Sequence, residues 1–167
     1  MKSIYKYIIV SFWYLLITTT SVTFAQSKDI NKLDWLSLGA GEGIQNHASS
    51  FISYTFINEN VYQLKLNTDF QLAIFGNTSD YLYTGSFSYG FANISKWFFG
   101  SVFIGPSIAY KNYEESKEEF GIGINLNAQY YFACSDVLGF GIDLYTNFNT
   151  IKMIHGIRFS LFFKSLK

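Results

Sequence analysis

Residues 120–132 read Phe-Gly-Ile-Gly-Ile-Asn-Leu-Asn-Ala-Gln-Tyr-Tyr-Phe, an alternation that barely slips from end to end. In an extended strand successive side chains point to opposite faces. Phe120, Ile122, Ile124, Leu126, Ala128, Tyr130 and Phe132 therefore share one face, and Gly121, Gly123, Asn125, Asn127, Gln129 and Tyr131 the other. A period of 2 kept this long, with aromatics at both ends of the apolar face, is what a membrane-spanning β-strand requires.

The pattern recurs along the chain and predicts eight strands, at 34–43, 48–57, 61–74, 81–91, 97–111, 119–133, 137–148 and 151–164. In the third, Tyr62, Leu64, Leu66, Phe70, Leu72 and Ile74 face out, and Gln63, Lys65, Asn67, Asp69 and Gln71 face in. In the eighth, Met153, Ile157, Phe159, Leu161 and Phe163 oppose Lys152, Gly156, Arg158, Ser160 and Lys164. A slip of one residue would put Asp69, Asp143 and Arg158 into lipid, so the register is strongly specified. Pro106 interrupts the fifth strand at an outward position, where a bulge or kink is expected.

Composition agrees. Aromatics make up 20% of the chain and charged residues only 14%, against about 25% charged in an ordinary soluble domain. No stretch after residue 25 reaches the eighteen apolar residues of a spanning helix. An open sheet this apolar would aggregate at its edges, whereas a closed barrel has none. The expected fold is all-β: an eight-stranded antiparallel up-and-down transmembrane barrel with a polar, side-chain-filled lumen.

Residues 1–25 read as a secretory signal peptide. Lys2 and Lys6 precede the apolar run Tyr7–Ile17, and Thr23-Phe24-Ala25 offers small residues for cleavage before Gln26. The expected organisation is a signal peptide at 1–25, a short lead at 26–33 and an outer-membrane barrel at 34–167. Without the leader's two lysines, ten basic and twelve acidic residues remain, a balance that argues against nucleic acid as a partner. Asn58-Glu59-Asn60, Asn93 to Lys96 and Cys134-Ser135-Asp136 would be tight periplasmic turns. Ile44 to His47, Gly76 to Asp80, Asn112 to Glu118 and Asn149-Thr150 would face outward, with only the acidic Asn112–Glu118 loop much longer than a turn.

With these strands in place, the chain resembles the small eight-stranded outer-membrane barrels of Gram-negative bacteria, the OmpX-like proteins and the OmpA transmembrane domain, over residues 34–164. Gly156-Ile157-Arg158-Phe159-Ser160-Leu161 resembles the terminal signal read by the barrel-assembly machinery, although the chain runs on past it to Lys167. The resemblance implies a location in the cell outer membrane, with membrane lipid and the assembly machinery as partners.

For the interior, the inward set is small and polar: Gln63, Lys65, Asn67, Asp69, Ser86, Ser101, Asn125, Asn127, Asp143, Tyr145 and Arg158. Eight strands leave an interior just wide enough for side chains, and buried opposite charges must pair. A polar network of Lys65, Asp69, Asn127, Asp143 and Arg158 is therefore expected to plug the lumen; a narrow pore is the alternative. If the last hairpin is centred between Thr150 and Ile151, Asp143 lies opposite Arg158. If the preceding turn is centred on Ser135, Asp143 also lies opposite Asn127. Inward glycines, Gly139 and Gly141 among them, make room for Tyr131 and Tyr145.

Catalysis is the other class to weigh. His47-Ala48-Ser49 puts a histidine and a serine on one strand face near the outer rim, which a histidine-activated serine needs. Some barrels of this size modify lipid A in this way. Here no acidic residue is expected beside the pair, so a non-catalytic structural or interaction role is the first expectation and a lipid A-modifying enzyme the second. His155 is expected on the lipid face with no nucleophile nearby. One cysteine, Cys134, and two scattered histidines give no metal-ligand spacing, and no cofactor motif is present. A soluble lipocalin-type barrel would instead have an apolar interior and a polar exterior, the reverse of the strand faces above.

Overall fold

The structure, a computed structural model, describes residues 34–43, 47–58, 60–71, 81–95, 97–112 and 118–165. The leader, the lead segment and residues 44–46, 59, 72–80, 96, 113–117 and 166–167 lie outside the described residues. So do the expected outward Leu72 and Ile74, and Glu114 and Glu115 of the acidic loop.

Eight strands run in chain order: β1 (Asp34–Gly43), β2 (His47–Asn58), β3 (Asn60–Gln71), β4 (Tyr81–Ile94), β5 (Phe98–Asn112), β6 (Glu118–Ala133), β7 (Leu138–Asn149) and β8 (Met153–Ser165). Each pairs antiparallel with the next, and β1 pairs with β8, so the sheet closes into a barrel. The register fixes its stagger. From Gly43 the direct partners run through Gly156, Tyr145, Asn127, Phe103, Gly90, Val61 and Ile57; Ile57 lies two residues beyond Thr55, the partner of Trp35, which amounts to a stagger of ten residues around the wall. Eight strands with that stagger tilt by about 40° from the barrel axis.

The wall is apolar outside and polar inside. Leu66, Ile108, Phe120, Ile122 and Phe159 project outward and are exposed, while Gln63, Lys65, Asn67, Asp143 and Arg158 are buried. This is the inverse of a soluble barrel, so the lipocalin alternative falls. Among the described residues no helix is long and apolar enough to cross a membrane. The barrel's lower end, where β1 begins and β8 finishes, carries the short links at 59, 95–97 and 134–137; the upper end carries 44–46, 72–80, 113–117 and 150–152.

Two expectations about the wall are corrected, while the end of the expected third strand, 72–74, lies outside the described residues. The β6–β7 turn is 134–137, because the Ser135 hydroxyl accepts from the backbone N–H groups of Val137 and Leu138 and keeps Val137 in the turn. That moves its centre from Ser135 to Asp136, and Asp143 then pairs with Gln129 while Asn127 pairs with Tyr145. At Pro106 there is no bulge. The β4–β5 ladder lapses at Pro106 and Gly105 and resumes in unchanged register, Ser86 opposite Ser107 and Tyr89 opposite Ile104. The missing proline donor opens the ladder without inserting a residue.

Tight curvature makes inward glycines obligatory, Gly141 among them. A Cβ on Gly141 would run into the Tyr130 carbonyl and sit 2.7 Å from Tyr131 Cδ1. Gly141→Val is expected to cost about 3 kcal/mol, since neither the β6 backbone nor the buried ring has room to yield. Gly85→Ala is the control, because its Cβ would meet Leu66 Cδ2 at an ordinary 3.5 Å; a change within about 0.5 kcal/mol is expected there. Urea midpoints of the refolded proteins check both.

The lumen as candidate functional site

Period-2 alternation sends Ser49, Phe51, Lys65, Asn67, Asp143, Tyr145 and Arg158 into the lumen, where all are buried. Asp143 stands directly opposite Arg158 across the β7–β8 ladder. That hairpin is closed by Asn149, whose side-chain oxygen accepts from the backbone N–H groups of Ile151 and Lys152. Asp143 Oδ2 accepts from Arg158 Nε at 3.0 Å, and Lys65 Nζ lies 2.8 and 2.9 Å from the two carboxylate oxygens. Gln129 Nε2 completes the shell at 3.2 Å from Oδ1. β3 and β7 are four strands apart in a wall of eight. The Lys65–Asp143 contact therefore spans the whole diameter of the barrel.

Arg158 ties this pair to the other wall. Its Nη1 donates to Asn67 Oδ1 at 2.9 Å and Ser49 Oγ at 3.1 Å. The guanidinium lies between two rings, 3.5 Å from the Tyr145 centroid and 4.6 Å from that of Phe51. Lys65 Nζ sits 4.2 Å from the same Phe51 ring. Stripping water from these ions costs several kcal/mol each, offset here by paired charge, hydrogen bonds and aromatic faces together.

Of the five residues expected to form the network, Lys65, Asp143 and Arg158 are in direct contact. Asp69 is one step removed, accepting from the Tyr145 hydroxyl at 3.0 Å. Asn127 belongs to a second group below them, donating to Gln63 Oε1 at 2.9 Å, while Gln63 Nε2 donates to Gln129 Oε1 and Thr55 Oγ1, each at 3.1 Å. In formal charge the two basic and two acidic side chains of the network balance. Phe51 and Gln129 were missing from the expected network, although their parity on β2 and β6 already turned them inward.

The interior is also less uniformly polar than expected. Trp35, Phe99, Phe103, Tyr131 and Phe162 are buried together at the lower end. Leu82, Ala109, Tyr145 and Ile154 form a smaller cluster near the upper mouth.

His47 and Ser49 both face into the lumen, 8% and 3% exposed. The expectation of no acid beside them is overturned: Asp69 pairs directly with Ser49 across β2 and β3. Each of the two side chains also contacts a cation. Lys152 Nζ lies 2.6 Å from His47 Nε2. An ammonium can only donate, so that ring nitrogen is the acceptor. Ser49 Oγ meanwhile accepts from Arg158. Among the described residues no group of His, Cys, Asp and Glu could hold a metal ion.

No family model matches the chain, and no curated protein matches its sequence. Solved structures do match. Ail, the attachment invasion locus protein of Yersinia pestis, in complex with the heparin analogue sucrose octasulfate, superposes with a TM-score of 0.61 at 8% identity over 81% of this chain and 99% of Ail. The fold is that of the small outer-membrane barrels. A major outer membrane protein from Thermus thermophilus gives 0.61 at 8% identity, covering 80% and 99% of the two chains. The N-terminal β-barrel domain of Pseudomonas aeruginosa OprF gives 0.54 at 13%, covering 81% and 98%. At these identities the likeness is one of fold.

Proposed function

We propose that this chain is an integral outer-membrane protein with a closed, non-catalytic barrel serving a structural or interaction role. The single observation that carries this reading is a lumen filled by buried side chains and bridged across its full diameter by the Lys65–Asp143 contact. On this reading residues 1–25 direct export, the assembly machinery reads the Gly156–Leu161 strand, lipid covers the apolar band, and the upper connections meet the cell exterior. The network of Lys65, Asp69, Asn127, Asp143 and Arg158 holds the walls together and does no chemistry. The Ail structure with a heparin analogue shows that a barrel of this fold can hold a polyanionic ligand, and supports an interaction role at a surface.

One observation favours the enzymatic alternative: Asp69 stands directly opposite Ser49, on the face that also carries His47. Access speaks against it. Ser49 is buried in the lumen, whereas the ester of a membrane lipid lies outside the wall. The test is to compare lipid A from cells with and without the protein and to record the purified protein in planar bilayers. The expected results are an unchanged acyl pattern and no steady conductance. A changed pattern lost in His47→Ala and Ser49→Ala variants that still fold would replace this reading with the enzymatic one.

A further inference from the structure

The lumen holds two layers of different chemistry. At the lower end Trp35 of β1, Phe99 and Phe103 of β5, Tyr131 of β6 and Phe162 of β8 pack into one buried apolar layer. Ring centroids are 6.0 Å apart for Trp35 and Phe99, 5.0 Å for Phe99 and Phe162, and 4.8 Å for Tyr131 and Phe162. The other walls close on these rings with Ile57 from β2, Val61 from β3 and Ile94 from β4. From β7 comes Gly139, where a Cβ would collide with the Phe162 ring. All eight strands thus contribute to one ring-packed septum, whose rings carry two polar atoms, Trp35 Nε1 and the Tyr131 hydroxyl.

Above it the lumen is polar, and its polar groups are incompletely matched. Asn125 is 1% exposed, yet neither of its amide atoms has a protein partner among the described residues. The Ser86 and Ser88 hydroxyls, Asn147 Nδ2 and Arg158 Nη2 are in the same position. Buried donors and acceptors of this kind are satisfied by water. The apolar cluster at the upper mouth does not seal the layer, because its level is shared with the polar His47, Asp69 and Lys152. Side-chain hydrogen bonds exchange with water, whereas a ring-packed layer with only two polar atoms among its rings offers water few partners and disfavours it.

We propose that the aromatic septum, and not the ionic cluster above it, is the permeability barrier of this barrel. The proposal rests on the closed-lumen reading and adds the location of the seal. Water enters from the upper mouth and stops at Phe103 and Phe162.

The test uses the purified full barrel in proteoliposomes and planar bilayers, counting only protein that shows a heat-shifted gel band. Phe103→Ala with Phe162→Ala opens the septum, and a triple change of Lys65, Asp143 and Arg158 to serine removes the cluster. The septum variant is expected to raise water flux and ion conductance roughly tenfold or more, with the serine variant staying within about twofold of wild type. A leaking serine variant beside a tight septum variant would overturn the proposal, as would a septum variant as tight as wild type. If the double variant does not refold, Phe103→Ala alone is held to the same thresholds. A conducting wild type would instead sink the closed-lumen reading itself, which keeps the two failures apart.

Discussion

Asp143→Ala is expected to destabilise the folded barrel by about 3–5 kcal/mol, the usual penalty for removing one member of a buried ion cluster. The carboxylate is fully buried and accepts from Lys65, Arg158 and Gln129. Without it Lys65 and Arg158 lose the carboxylate that pairs with both of them. Replacing all three ions by apolar residues of similar size, Lys65→Met with Asp143→Leu and Arg158→Met, is expected to land within about 1 kcal/mol of wild type or above it. Removing one partner therefore hurts more than removing the cluster. Urea titration in lipid vesicles measures both, and a triple variant weaker than Asp143→Ala would contradict the offset described here.

Leu66→Arg is expected to destabilise by about 2–4 kcal/mol, the effect of a cation at the bilayer midplane on a barrel's lipid face. Leu66 is 64% exposed, midway along β3. On a soluble protein a substitution at so open a position would stay within about 0.5 kcal/mol. The size of this one effect thus separates a lipid-facing wall from a water-facing one. Asn60→Arg, at the lower rim of the same strand, is expected to cost no more than about 1 kcal/mol. Equal and small effects at both positions would mean that water, not lipid, covers this face.

Much of the wall was legible because its signal is local. The alternation over Phe120–Phe132 fixes a strand and both its faces. Asp143 falls opposite Arg158 because a turn centred between Thr150 and Ile151 determines every pair in the hairpin. The same logic failed by one position at the next turn, where the Ser135 hydroxyl caps two backbone donors and draws Val137 into the loop; Gln129 consequently occupies the place expected for Asn127. The turn at Asn58–Asn60 already implied that Asp69 stands across from Ser49, a relation that reading β2 alone does not reveal. The Lys65–Asp143 contact was beyond strand-by-strand reading, since partners across a lumen depend on the stagger of the entire barrel. The aromatic septum was readable in part: Phe162 shares the parity of Arg158 and Ser160, and Phe103 that of Ser101. Attention to polar inward residues hid a floor made of apolar ones.

The most direct test of the transmembrane barrel is separation of inner and outer membranes on a density gradient, followed by a urea wash. The protein is expected to stay with the washed outer membrane and to need detergent for release. Recovery as a soluble periplasmic monomer would contradict the account.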